Sequence, residues 1–211
     1  APTFAGFALM AALVACPPAV SAQSIADAAP TPAASENARD VLGRVRQSVI
    51  QIEGLVGSNT ARSFHGTGFA VTSDGLFMTN YHVVSEQVQH PDKYRLRFRT
   101  PDGASGAVNV VAVDVENVLA VVRTTAHMAP ALDLVGQPPR KGERAYSVGF
   151  PLDVGLTITE GISNGEVEDS FDARIHYSGA INGGMSGGPA FNANGQLIGV
   201  NVSAYRFEQL V

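Results

Sequence analysis

The sequence predicts an all-β domain, built as a sandwich or a barrel. Short segments in which apolar and polar residues alternate recur along most of the chain, and this alternation is typical of strands that bury one face. Turn signals separate the segments about every 8–12 residues. The 22 glycines and 12 prolines supply those turns. The chain lacks the regular strand–helix alternation that predicts a parallel α/β sheet.

One helix and ten strands are predicted between residues 37 and 202. The helix covers 37–46, where Val41, Leu42 and Val45 fall on one helical face. A hairpin joins 66–72 to 76–79 through the turn sequence Ser-Asp-Gly. The other predicted strands are 48–56, 94–99, 107–115, 119–123, 146–150, 156–160, 173–177 and 196–202.

The first 36 residues are predicted to lie outside the folded domain. The uncharged apolar run 4–15 is shorter than the roughly 20 residues of a spanning helix, and it suits a secretion signal. Two cleavage patterns compete: 20–22 (VSA) suits an ordinary signal peptidase, whereas 13–16 (LVAC) resembles a lipobox that would lipidate Cys16. We predict a signal peptide in 1–22, a flexible Ala/Pro-rich linker in 23–36, and a domain in 37–211.

Composition argues against several classes of function. A net charge of −5 is unfavourable for a nucleic-acid-binding face, which needs a basic cluster. The absence of Trp argues against a stacking platform for single strands, and the one cysteine cannot form an internal disulfide. No His, Cys or carboxylate spacing predicts a metal site. We expect no cofactor, an extracytoplasmic location, and membrane contact only through a lipid on Cys16.

Two motifs carry candidate chemistry. In 184–189 (GMSGGP), Ser186 is flanked by glycines, which permit unusual backbone angles and close approach of a substrate to backbone amides. In 79–84 (TNYHVV), His82 is predicted at a strand end, where it can act as a general base toward a serine hydroxyl. The alternatives are a glycine-rich turn with a bystander serine and a structural histidine. We interpret the remaining histidines as structural: His65, His90, His127 and His176.

Together the stretches GTGFAVTSDGLFMTNYHVV and SGAINGGMSGGPAFNANGQLIGVN resemble trypsin-like peptidases of the bacterial HtrA/Deg type. The resemblance runs from about residue 45 to about residue 204. It implies a chymotrypsin-like double β-barrel with the active site in the cleft between the barrels. It also implies that His82 is the general base, that Ser186 is the nucleophile, and that the amides of Gly184 and Ser186 form the oxyanion hole.

The acid of the catalytic triad is missing from this pattern. The family carries an aspartate before a run such as Leu-Ala-Val-Val, and Val118 stands at that place here. Valine cannot accept a hydrogen bond from His82 Nδ1. Asp114 and Glu116 lie upstream by about 13 and 7 Å of extended chain, so neither is expected to replace the acid. Three explanations remain open: a natural degenerate protease, a sequence variant or error, or a dyad in which water replaces the carboxylate.

The resemblance also predicts a specificity pocket. In trypsin-like enzymes the residue six positions before the nucleophile lies at the pocket base, and this residue is Ala180. We expect one wall to consist of Val200, Asn201, Val202 and Ser203. The family continues with a further strand and a terminal helix, so the domain is expected to be truncated at residue 211.

Two hypotheses of function follow from the sequence. The first is a secreted or periplasmic serine endopeptidase that cleaves proteins or peptides through an acyl-enzyme on Ser186. The alternative is a protease-like module that binds extended peptides and cleaves little or nothing, which Val118 favours. A weaker third reading is a lipid-anchored adhesion protein. The oligomeric state is not predictable from the sequence.

Overall fold

The computed structural model describes residues 33–57, 61–134, 139–152, 154–168 and 174–202, and the side chains from residue 38 onward. The predicted signal peptide with Cys16, most of the predicted linker, and Ser203 lie outside these residues. Within the described ranges, no helix is long and apolar enough to cross a membrane.

The first six strands close into a barrel. All neighbouring strands are antiparallel, in the order β1-β2-β3-β6-β5-β4. The strands are β1 (Val49–Val56), β2 (Arg62–Ala70), β3 (Leu76–Asn80), β4 (Tyr94–Arg99), β5 (Ser105–Asp114) and β6 (Leu119–Thr124). Their alternating apolar residues fill the interior, where Ile50, Ile52, Phe77, Phe98 and Val122 are almost fully buried. Removing this apolar surface from water is the main force that closes the barrel.

The remaining strands form a second, five-stranded sheet in the order β11-β10-β7-β8-β9. Its strands are β7 (Arg144–Gly149), β8 (Thr157–Glu166), β9 (Ile175–Tyr177), β10 (Pro189–Asn192) and β11 (Leu197–Val200). A second core joins this sheet to the first barrel, because Tyr146, Val148 and Phe191 pack with Phe69 of β2. Over the described residues, the second sheet is an open half-barrel. The predicted all-β architecture of two barrels is therefore confirmed.

Two helices frame the barrels, and both differ from the prediction. Helix α1 (Ala33–Val45) begins four residues before the predicted start, so the end of the predicted linker is helical. Helix α2 (Tyr81–Gln89) was not predicted, and His82 lies in its first turn and not at a strand end. The β-branched Val83 and Val84 favour a strand locally. Both are buried in the first core, so tertiary packing outweighs that preference.

Most predicted strands agree with the structure to within a few residues. Strand β8 extends to Glu166, six residues past its predicted end. Strand β10 was missed, because its four residues begin with a proline directly after the glycine-rich motif. Both elements belong to the second sheet.

Helix α1 is expected to be an integral part of the domain. Val41 is fully buried in the second core, so Val41→Ala should lower the free energy of unfolding by about 2 kcal/mol. This corresponds to a drop in Tm of about 5 °C for a domain of this size. The control is Arg39→Ala on the exposed face of the same helix, which should leave Tm unchanged. Equal Tm values in a thermal melt would show that α1 does not pack on the sheet.

Candidate active site

Ser186 lies in the loop that joins β9 to β10. Gly184 and Gly187 in this loop have φ angles of +94° and +82°, a conformation that glycine adopts without steric cost. A Cβ atom at Gly184 would overlap Nε2 of His65 and the carbonyl oxygen of Phe150. Glycine is therefore required at position 184 both by backbone angle and by space.

Every backbone carbonyl from residue 183 to residue 186 accepts a hydrogen bond. The Leu152 amide donates to the Gly183 carbonyl at 3.1 Å, and the Thr67 hydroxyl donates to the Gly184 carbonyl at 2.7 Å. The Met185 carbonyl accepts from the Gly188 amide at 3.0 Å and from Asn201 Nδ2 at 3.3 Å. The Thr67 amide donates to the Ser186 carbonyl at 2.8 Å. In a planar trans peptide the N–H points opposite to the C=O. These contacts therefore also fix the directions of the loop amides.

Within residues 184–188, two amides have no backbone acceptor among the described residues. The amides of Met185, Gly187 and Gly188 donate to Asn182, Asn201 and Met185, respectively. Those of Gly184 and Ser186 donate to no carbonyl among the described residues. They are the two amides predicted to form an oxyanion hole. The loop thus presents two oriented donors next to a serine hydroxyl, as stabilisation of a developing negative charge requires.

His82 lies in the first turn of α2 and is exposed to solvent. Partial burial lowers the pKa of His82 below its ordinary value, and no charged or hydrogen-bonding partner contributes to this shift. A neighbouring carboxylate would act in the opposite direction, because it favours the imidazolium form. This shift favours the neutral imidazole, and no hydrogen bond to the His82 ring is seen among the described residues.

Val118 lies immediately before β6 and beside the start of α2. Leu119 pairs with Asn80, and the Val118 carbonyl accepts the Tyr81 amide at 2.9 Å. The φ angle of Val118 is +59°, a left-handed conformation that is unfavourable for a β-branched residue and more accessible to Asn, Asp and Gly. The backbone thus holds a side chain at the predicted acid position in a conformation that suits an aspartate better than a valine.

Of the two nearby acids, Asp114 is engaged within its own turn and Glu116 is exposed. The Asp114 carboxylate accepts the backbone amide of Asn117 at 3.0 Å and its Nδ2 at 2.7 Å. These hydrogen bonds lower the pKa of Asp114, which is fully exposed. Glu116 is also exposed, in the turn between β5 and β6. Neither carboxylate contacts His82 in this structure, as expected from their positions in the sequence.

The structure distinguishes among the other histidines. His65, interpreted from the sequence as structural, has its ring against Gly184 of the serine loop. No pattern in the sequence predicts this position. His127 stacks on Phe77 and Phe98 in the first barrel, and His90 and His176 are exposed. Over the described residues, no group of three His, Cys, Asp or Glu side chains is placed to hold a metal ion.

A cavity of about 840 Å³ brings most of the predicted pocket residues together. Ala180, Val200, Asn201 and Val202 all line it. The Asn201 side chain is buried and donates to the carbonyls of Val148 and Met185. It therefore also holds the serine loop through the Met185 carbonyl. Further apolar lining comes from Ile175, Tyr177, Ile181 and Ile198, and the charged lining residues are Glu166, Glu168 and Arg174.

Comparison with known proteins defines the class. The family model of the trypsin-like peptidase domain matches residues 66–200, which is more than half of the chain. The crystal structure of Deg5 superposes with a TM-score of 0.69 at 25% identity, covering 81% of this chain and 86% of that one. The fold and the match establish a trypsin-like peptidase domain.

The relatives specify the type. A DegP-like periplasmic serine endoprotease of Chlamydia trachomatis is 33% identical over 144 residues, covering 65% of this chain and 28% of that protein. The mitochondrial serine protease HTRA2 of Bos taurus is 33% identical over 200 residues, covering 88% of this chain and 42% of that protein. The chain belongs to the HtrA-type trypsin-like serine peptidases. It spans less than half the length of these two relatives.

Val118 is expected to destabilise the folded domain through its backbone angle. Val118→Asn should raise the free energy of unfolding by about 1 kcal/mol, because Asn tolerates the left-handed region. The matched control is Val115→Asn, an exposed valine in the same turn, which should leave Tm unchanged. Denaturant titration measures the free energy of unfolding of both variants, and thermal melts give their Tm. A Val118→Asn variant no more stable than the parent would contradict backbone strain at this position.

Proposed function

We propose that this chain hydrolyses peptide bonds in proteins as a serine endopeptidase. Ser186 is the nucleophile, His82 is the general base, and the amides of Gly184 and Ser186 stabilise the oxyanion. The observation that carries the proposal is the serine loop, in which consecutive carbonyls are anchored while these two amides have no backbone acceptor among the described residues. A turn with a bystander serine does not require that arrangement.

In the proposed reaction, the Ser186 hydroxyl oxygen attacks the scissile carbonyl while His82 accepts the hydroxyl proton. The carbonyl oxygen becomes an oxyanion within reach of the two free amides. The C–N bond then breaks, His82 gives its proton to the leaving amine, and an acyl-enzyme forms on Ser186. Water, deprotonated by His82, hydrolyses the ester and regenerates the serine. Each step uses groups of this chain and one water molecule.

Val118 limits the proton-transfer part of this mechanism. In Ser-His-Asp proteases, replacing the acid by its amide lowers kcat about 10⁴-fold, or about 5.4 kcal/mol of barrier. The lowered pKa of His82 is consistent with an imidazolium that no carboxylate stabilises. We therefore infer slow catalysis by the parent chain, with the oxyanion hole and substrate binding supplying most of the rate acceleration.

The alternative function is a peptide-binding module that retains the protease fold. The same observation, a histidine without an orienting acid, favours it. The two functions differ in their dependence on Ser186. Peptide binding alone survives Ser186→Ala, whereas slow cleavage is abolished by it.

We propose an extracytoplasmic location. The apolar run 4–15 supports it, and so does the periplasmic relative. Cleavage at 20–22 and lipidation of Cys16 give different mature N-termini, which intact-mass spectrometry of the exported protein distinguishes.

Val118→Asp should raise kcat/KM for an unfolded protein substrate at least tenfold, because a carboxylate at this position can orient His82. Val118→Asn is the matched control: it relieves the same backbone strain but supplies no charge, and should gain much less activity. The Ser186→Ala substitution added to each variant measures the background activity that does not depend on Ser186. Equal activity of the Asp and Asn variants would show that strain relief, and not an acid, limits the parent.

The titration of His82 should report the missing acid directly. In the parent, burial disfavours the imidazolium, so the ring should stay neutral until the pH falls below the ordinary pKa of histidine. In Val118→Asp, the carboxylate favours the imidazolium, and the midpoint should move to higher pH. NMR titration of the His82 ring protons measures both values without requiring activity. An unchanged midpoint in Val118→Asp would place residue 118 away from His82.

The pocket should select small or medium aliphatic residues, such as Val or Ala, before the scissile bond. Ala180 and Val200 line the cavity with apolar surface, and burial of an aliphatic group gains about 25 cal/mol per Å². A lysine or arginine would be costly to bury without a partner. A peptide library cleaved by Val118→Asp tests the preference. Dominant cleavage after Lys or Arg would contradict it and point to the lining acids Glu166 or Glu168.

A further inference from the structure

We propose that the Thr67 hydroxyl is a positioning residue for the oxyanion hole. Thr67 lies on β2 of the first barrel and is fully buried. Its hydroxyl donates to the Gly184 carbonyl at 2.7 Å and accepts the Phe150 amide at 3.0 Å. This inference rests on the proposed function, because the two loop amides acquire a role only if an oxyanion forms there.

One hydroxyl thus joins three segments of the fold. Gly184 belongs to the serine loop, Phe150 follows β7 of the second sheet, and Thr67 itself belongs to the first barrel. The Thr67 amide also donates to the Ser186 carbonyl at 2.8 Å, so both polar ends of the residue hold the same loop. The Thr67 carbonyl accepts the Thr79 hydroxyl at 2.6 Å, which fixes Thr67 in the β2–β3 hairpin.

The hydroxyl acts on the peptide next to the oxyanion donor. Gly184 has no side chain to restrict its backbone, and its amide is one of the two predicted donors. The Thr67 hydroxyl fixes the plane of the 184–185 peptide through its carbonyl, and the Leu152 amide fixes the 183–184 peptide in the same way. Together they set both torsion angles of Gly184. Without the hydroxyl, Gly184 gains rotational freedom where the donor must be rigid.

The hydroxyl lies in closely packed surroundings, because Thr67 is fully buried. A Cβ atom placed at Gly149 would lie 3.0 Å from Thr67 Oγ1 and 2.9 Å from the Met185 Cα. The hydroxyl is therefore packed against the end of β7 and the backbone of the serine loop. A valine of the same shape would fill this space but supply neither the donor nor the acceptor.

The test compares Thr67→Val with Thr67→Ser in the full chain, using the rate at which a fluorophosphonate modifies Ser186. The phosphonyl oxygen occupies the oxyanion hole in that reaction. Loss of one oxyanion donor costs about 10²–10³-fold in such enzymes, so loosening a donor should slow labelling by about tenfold or more. Thr67→Ser keeps the hydroxyl, so its labelling rate should lie within about threefold of the parent rate. A tenfold change in rate corresponds to about 1.4 kcal/mol of activation free energy.

Thr124→Val is the matched control for loss of a buried threonine hydroxyl. Thr124 is buried on β6, and its hydroxyl donates to the His127 carbonyl, away from the serine loop. This variant should lose stability but keep the parent labelling rate. Labelling of Thr67→Val at the parent rate, or equal slowing of Thr67→Val and Thr67→Ser, would overturn the proposal.

An NMR measurement separates this proposal from the proposed function. The Phe150 amide should exchange slowly with solvent in the parent and in Thr67→Ser, and faster in Thr67→Val if that variant folds. If the parent does not label at Ser186 but these exchange rates follow the hydroxyl, the proposed function fails while the contact itself stands. A Phe150 amide that exchanges rapidly in the parent overturns the positioning role, whatever the activity.

Discussion

The architecture of the site depends on the anchoring of one loop by both halves of the fold. The loop that carries Ser186 belongs to the second sheet, yet two of its carbonyls are held by Thr67 of the first barrel. The loop contains glycines with positive φ angles and has little conformational preference of its own. Its shape therefore depends in part on the two Thr67 hydrogen bonds, which exist only when the two halves pack together.

The two halves of the catalytic arrangement differ in completeness. The proposed oxyanion donors are two amides whose peptide groups are held by hydrogen bonds to their carbonyls. The proton-transfer half has a histidine in the first turn of α2 and a strained valine at the predicted position of its acid. The left-handed backbone at Val118 is a physical reason why an aspartate suits this position better than a valine.

How far the sequence predicts this structure depends on how far apart in the sequence the interacting residues lie. Alternation in 94–99 located β4 to the residue, because a strand with one buried face leaves a local pattern. Helix α2 was missed because Val83 and Val84 favour strands, and only their burial in the first core decides the outcome. Val118 directly precedes Leu119, which pairs with Asn80 at the start of α2, and its role as the acid position stays a prediction.

The residues that hold the serine loop were less predictable. Thr67 and Phe150 lie 117 and 34 positions before Gly184, and nothing local to either residue indicates that they meet at one hydroxyl. Thr67 lies between two glycines in a motif that was singled out, but the motif alone does not state what the hydroxyl contacts. Such roles follow from the tertiary fold and become visible only with coordinates.

The most direct test of the account is the rate constant for modification of Ser186 by a fluorophosphonate in the unaltered chain, with the site confirmed by peptide mass spectrometry. A preformed oxyanion hole beside an unoriented histidine predicts measurable modification that is lost in Ser186→Ala and is at least tenfold slower than in Val118→Asp. Absence of modification in the folded parent and in folded Val118→Asp alike would contradict the claim that this loop is built to stabilise an oxyanion.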